Sequence, residues 1–220
     1  MTTESNLNKV RSSLPVGVKL IAVSKTKNSE SILEAYGAGQ RRFGENKVQE
    51  LVTKWETLPK DIEWHFIGHL QSNKVRFIAP FISMIHAIDS FKILKAVDEE
   101  AKRAGRIIPC LIQVHIAMEE TKFGFSPEEV VELFHNKEVS ELKNIIIAGV
   151  MGMATYTDDE ELISQEFSSL NSLFQTIKED FFKNNPAFCE LSMGMSQDYH
   201  LAIENGSTMV RVGSSIFGER

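Results

Sequence analysis

The sequence predicts an α/β protein built as a single (β/α)8 TIM barrel, and three observations carry that prediction. Short β-branched runs ending in polar or glycine-rich residues alternate with amphipathic stretches as far as the C-terminus, the pattern of repeated βα units. About eight such runs can be marked, the number a closed barrel needs. The 220 residues fall within the length of single α/β barrels, roughly 200 to 250 residues, and no linker, charge block or compositional shift marks a second domain.

Taken in order, residues 4–14 are expected to form a short helix within an N-terminal extension over 1–17. Strands are expected at 19–24, 41–44, 63–68, 84–88, 108–116, 144–151, 188–192 and 209–212. Between them, Asn46 with Gln49 and Thr157 with Glu160 show the cap-and-return spacing of a capping box ahead of apolar residues. Residues 91–105 carry Ile93, Leu94, Val97, Ala101 and Ala104 at helical spacing, with Gly105 as a stop. Ser126-Pro127-Glu128-Glu129 combines an N-cap serine, proline at the first helical position and a glutamate that closes the box. A last helix is expected over 197–204, with Ser196 as its N-cap.

Charge and composition exclude several classes of function. Thirty acidic against 24 basic residues give a net charge of −6 without an extended basic run, which removes the electrostatic footprint of a nucleic-acid binder. The longest apolar stretch, 145–154, contains Gly149 and Gly152 and falls far short of the ~20 residues needed to cross a bilayer. Residues 1–13 lack the apolar centre of a secretory signal. Cys110 and Cys189 lie far apart within apolar runs and read as buried free thiols. Together these features predict a cytoplasmic protein.

In a parallel βα architecture, reactive side chains gather where strands end, so those ends are the place to look. The first strand runs into Lys25, where desolvation favours a neutral, nucleophilic amine suited to a Schiff base; the alternative is a solvated lysine. Lys27 would share its face if the strand continued. Ser192-Met193-Gly194-Met195-Ser196 and Arg211-Val212-Gly213-Ser214-Ser215 are small-residue turns after the seventh and eighth strands, the usual phosphate site of such barrels. Either alone is compatible with ordinary turn chemistry. With the early lysine they suggest a phosphate-bearing aldehyde held at both ends. Arg211 would stand in or over the barrel mouth and needs an acceptor, either a pyridine nitrogen or a glutamate. His65 and His69 share a strand face without a nearby carboxylate or cysteine and read as packing or loop residues, and Met151 and Met153 as adaptable core fill.

The motifs AVSKTK at 22–27, FGEN at 43–46 with Gln49-Glu50, WHFIGHLQSNK at 64–74, Glu119-Glu120 with Lys122-Phe123-Gly124, and the whole segment 191–220 resemble the pyridoxal phosphate homeostasis proteins. The resemblance runs from about Val18 to Arg220, and it implies a barrel like the N-terminal domain of alanine racemase. By that resemblance Lys25 would hold pyridoxal 5'-phosphate (PLP) as an internal aldimine. Ser196, Gly213 and Ser214 would bind its phosphate, Arg211 would face the pyridine nitrogen, and Asn46 would lie near the ring. It implies a cofactor buffer or carrier without established catalysis, with apo PLP-dependent enzymes as partners and a monomeric state. The alternative is a racemase-like PLP enzyme, which would need a second acid/base group from a β-domain that this chain has no stretch left to build. A Schiff-base aldolase acting on a sugar phosphate is the third reading.

Overall fold

The structure, a computed structural model, describes residues 2–119 and 123–219; Glu120, Lys122 and Arg220 of the motifs above lie outside them. Eight parallel strands close into a barrel whose order around the ring is the order along the chain. They are β1 (Lys19–Val23), β2 (Arg42–Glu45), β3 (Glu63–Phe66), β4 (Met84–Ile88), β5 (Ile108–Val114), β6 (Ile145–Gly152), β7 (Glu190–Ser192) and β8 (Met209–Val212). All eight lie where the sequence places them, with ends shifted by up to two residues. Around them stand α1 (Thr3–Ser13), α2 (Ser29–Gly37), α3 (Val48–Thr57), α4 (Val75–Ile78), α5 (Phe91–Arg103), α6 (Pro127–His135), α7 (Lys137–Glu141), α8 (Glu160–Phe181), α9 (Tyr199–Glu204) and α10 (Ser214–Phe217).

The period-two alternation of the strands divides the interior into two regions. Outward residues such as Leu20, Ala22, Phe43, Trp64, Phe66, Leu191, Val210 and Val212 join the helices in one continuous apolar layer. In α5, Ile93, Leu94, Val97 and Ala101 are buried, and the Ser90 side chain caps the first turn through the Ile93 N–H. Burying each of the larger three is worth about 2 kcal/mol, so a charge at Val97 would detach the helix. Inside the barrel, Ala87, Leu111, Ala148 and Met151 form a separate small cluster, so Met151 is interior fill. No helix among the described residues is long and apolar enough to cross a membrane.

Local differences from the sequence reading have local causes. The capping box at Ser126 forms in full, with Ser126 Oγ accepting from the Glu129 N–H and the Glu129 side chain from the Ser126 N–H. The one expected at Asn46 does not: α3 begins a residue later, Lys47 occupies the N-cap without a side-chain bond, and Asn46 faces the barrel mouth. Thr157 likewise loses the cap of α8 to Asp159, which accepts from the N–H groups of both Glu161 and Leu162. A carboxylate two residues closer to the helix reaches two donors where the hydroxyl would reach one. Cys110 is buried, but Cys189 is exposed, because it precedes β7 at the N-terminal rim of the barrel.

Candidate functional site

The strand C-termini surround a cavity of about 830 Å³. Its wall includes Lys25, Asn46, Ser196, Arg211, Gly213 and Ser214, so the structure brings all six singled-out residues together from the ends of β1, β2, β7 and β8. Lys25 is half-buried, two residues beyond β1, in a turn closed by the Lys27 N–H on the Ser24 carbonyl. The strand does not continue, so Lys27 swings away: its Nζ donates to the carbonyls of Phe217, Gly218 and Glu219 and ties the C-terminal segment across the mouth.

At the opposite wall Ser196 does not cap a helix over 197–204. The helix α9 starts at Tyr199 with Asp198 at its N-cap, while Ser196 Oγ accepts from the Gly213 N–H at 3.0 Å. That bond joins the turns after β7 and β8 into one shelf. In α10 the N–H groups of Ile216 and Phe217 both bond to the Gly213 carbonyl, leaving those of Ser214 and Ser215 outside the helix's own bonding. Two glycines on the rim lie close against backbone, Gly68 at a distance no Cβ tolerates and Gly213 at a tight one. A Cβ at Gly213 would lie 3.1 Å from the Val23 carbonyl, and one at Gly68 would lie 2.3 Å from the Asn46 carbonyl. Gly68 thereby lets the β3 turn lie directly against Asn46.

Arg211 is buried, and its two guanidinium nitrogens donate to Ser192 Oγ at 2.7 Å and to the Gly152 carbonyl at 2.8 Å. Among the described residues no glutamate pairs with it, so the ion-pair alternative is not realised. Burial pulls its pKa down to about 10, with Asp198 acting in the opposite direction, and it remains a cation at neutral pH. Two of its five N–H donors are committed and it lines the cavity. Behind it runs a polar chain that the sequence reading missed. Ser192 Oγ lies 3.1 Å from His86 Nδ1, and His86 Nε2 lies 2.8 Å from His65 Nδ1. Burial holds His65 down at about 3, with Arg42 and Lys19 adding to the effect. Burial, then His65 and Arg211, lowers His86 well below its ordinary value. Arg211 can only donate, so Ser192 Oγ accepts from it; the direction of the two bonds beyond follows the histidine tautomers. The available signal was His86 itself, a polar residue within an otherwise apolar strand.

His69 is a loop residue beyond β3, in keeping with the packing-or-loop reading, but it is off the strand face and has a carboxylate partner: it stacks on Phe123 with ring centroids 4.1 Å apart and bonds Asp89 at 2.7 Å. The carboxylate comes from the end of β4, twenty residues along the chain, which sequence proximity could not show. Met153, unlike Met151, lines the cavity. A second buried polar group lies below the Lys25 turn. Lys54 Nζ donates to Glu45 Oε1, Glu50 Oε1 and the Ser24 carbonyl, at 2.7, 2.7 and 2.8 Å. Burial raises the pKa of Glu45, with Lys54 opposing. Lys54 follows Val48 and Leu51 on the buried stripe of α3, and a lysine in that place is the sequence signal for a buried acid.

A closed parallel barrel with a strand-end lysine, an inward arginine and two serine-glycine turns defines the class represented by the alanine racemase N-terminal domain, and that family matches residues 2–220. Alanine racemase of Clostridium difficile 630 superposes with a TM-score of 0.79 over 100% of this chain and 57% of its own, at 14% identity, which is a likeness of fold. The chain belongs to the pyridoxal phosphate homeostasis protein family. It is 44% identical to the member from Vibrio alginolyticus over 94% of this chain and 88% of that protein. It is 39% identical to the member from Aquifex aeolicus over 92% and 87%. PipY of Synechococcus elongatus, solved with PLP bound, is 35% identical with a TM-score of 0.87 and covers 99% of this chain and all of its own.

Proposed function

We propose that this chain is a PLP carrier: it holds the cofactor covalently on Lys25, buffers it, and releases it to apo PLP-dependent enzymes without turning over a substrate. The observation that carries this reading is the convergence of an amine, a buried cation and two hydroxyl-lined turns on one cavity. The residues fit the group. Ser196 and Ser214 offer hydroxyl donors to a phosphate, and the N–H groups of Ser214 and Ser215, which the turn at Gly213 leaves outside the helix's own bonding, offer amide donors, the Gly213 N–H being held by Ser196 Oγ. Arg211 offers N–H donors and no acceptor, so it suits an unprotonated ring nitrogen. Asn46, on the same cavity wall, would lie near the ring. When bound, PLP supplies an aldehyde for the Lys25 amine and a ring whose electron-withdrawing power depends on that nitrogen.

The same geometry argues against turnover. Exchange of an α-proton on both faces needs two positioned acid/base groups, and Lys27, which shares the wall with Lys25 among the described residues, spends all three N–H donors on carbonyls. The names of the relatives agree with a homeostatic role. We place the chain in the cytoplasm, a reducing setting that suits two free thiols. We treat it as one domain acting as a monomer.

The test is to load the purified protein with PLP, reduce with borohydride and map the modified lysine. The carrier reading expects the adduct on Lys25, its loss in Lys25→Ala, transfer of cofactor to an apo-transaminase, and α-deuterium exchange of L-amino acids no faster than with free PLP. Exchange well above that level and abolished by Lys25→Ala would make this a racemase-like enzyme.

A further inference from the structure

Glu45 occupies a place where the fold calls for an apolar side chain. It shares the outward face of β2 with Phe43, which is fully buried in the layer between barrel and helices, and Glu45 itself is 0% exposed. Around it the Lys54 ammonium, 6% exposed, joins three oxygens. Two further bonds give the cluster its direction. Glu50 Oε1 accepts the Thr26 N–H at 2.7 Å, and Ser24 Oγ donates to Glu45 Oε1 at 2.6 Å. The carbonyl of Ser24 and the N–H of Thr26 belong to the two peptide units flanking Lys25, and the cluster grips both.

The backbone at that point needs a grip. Thr26 has φ +66°, and among the described residues it is the one non-glycine with positive φ. A β-branched residue there is a steric outlier that persists only where its surroundings over-determine it. Relaxing Thr26 to negative φ would rotate the chain at the residue next to Lys25 and swing its side chain off the cavity wall.

We propose that Glu50, Lys54 and Glu45 are positioning residues for Lys25: a buried acid–lysine–acid bracket that holds the Ser24–Lys27 turn in its strained form, so that the amine is presented to the cofactor aldehyde before the cofactor arrives. The proposal rests on the reading that Lys25 carries PLP. It differs from a purely structural role for the ion cluster, which would glue α3 to the barrel without regard to Thr26.

The experiment compares the native protein, Glu50→Ala, Glu50→Gln, Thr26→Gly and the double variant Glu50→Ala/Thr26→Gly. It measures PLP affinity by absorbance, the site of the adduct by reduction and peptide mapping, and melting without cofactor. Glu50→Ala is expected to weaken PLP binding about tenfold. Glu50→Gln, which keeps an acceptor for the Thr26 N–H, should stay within about threefold of the native protein. Thr26→Gly in the Glu50→Ala background should recover most of the loss, because glycine adopts positive φ without support, whatever happens to the melting point. Unchanged affinity in Glu50→Ala, or a loss that Thr26→Gly leaves in place, overturns the proposal. If Glu50→Ala does not fold, Lys54→Met with and without Thr26→Gly carries the same comparison. An adduct on another lysine in the native protein would refute the Lys25 reading instead, a result these affinity ratios cannot mimic.

Discussion

Arg211, Ser192 and the two histidines behind them form a chain of hydrogen bonds in which each member depends on the next. Removing the Ser192 hydroxyl should leave an arginine N–H and a histidine nitrogen buried without partners, so Ser192→Ala is expected to lower stability by about 1–3 kcal/mol. Ser215→Ala, at an exposed hydroxyl, should change it by less than about 0.5 kcal/mol. Urea unfolding of the two variants checks both. The histidines also set a pH dependence. His65 has a folded pKa of about 3 against about 6.5 when unfolded. Below pH 6.5 the unfolded chain therefore binds a proton that the native state refuses, and stability falls as pH drops from 6.5 toward 3, by up to about 1.4 kcal/mol per unit. Unfolding at pH 7.5, 6.5 and 5.5 should show a steeper loss in the native protein than in His65→Gln; parallel curves would refute the assignment. At this scale the sequence displayed the ends of the site, because Lys25 follows an apolar strand and Arg211 interrupts one. It hid His86, Glu45 and Lys54, whose partners are set by which strand faces which helix.

Helix caps show how far local pattern reaches. Ser126→Ala should cost about 1 kcal/mol and Asp159→Ala a similar amount, whereas Thr157→Ala should cost only a few tenths. Thermal or urea midpoints distinguish these, and a large effect at Thr157 would contradict the observed cap. The box at Ser126 was legible because Pro127 fixes where the helix begins. Asn46 and Thr157 carry the same spacing without a proline, and there the start was decided by the site's need for Asn46 at the rim and by the stronger acceptor Asp159. Strand positions were legible for a different reason: β1, β4, β5, β6 and β8 carry β-branched residues, β2 and β3 aromatic ones and β7 a leucine, and only the termini, where pairing with the neighbour stops, shifted by up to two residues.

For the molecule as a whole, the sequence announced the barrel by repetition, but the polar line through its interior required closure to exist. Closure is uneven: β5 and β6 pair over seven positions, whereas β7 and β8 share one, Ser192 with Met209, at the wall that carries the phosphate shelf. Backbone bonds from Thr208 to Leu191, Met193 to Met209 and Arg211 to Gly194 carry the rest of that seam, and a ligand bound across the wall would add to them. Saturating PLP, at about 100 times its dissociation constant, should stabilise the fold by about 2.7 kcal/mol and raise the melting temperature by several degrees. Lys25→Ala should lose most of that shift, and differential scanning calorimetry with and without PLP would decide. The exposed Cys189 has a consequence of another kind. Since Cys110 is buried, and burial pushes its thiol well above the ordinary cysteine range, a maleimide dye should attach at one position of the unaltered chain. That position lies at the end of the barrel opposite the mouth, so a fluorophore there would report cofactor arrival and departure by energy transfer to the yellow chromophore without obstructing an acceptor enzyme.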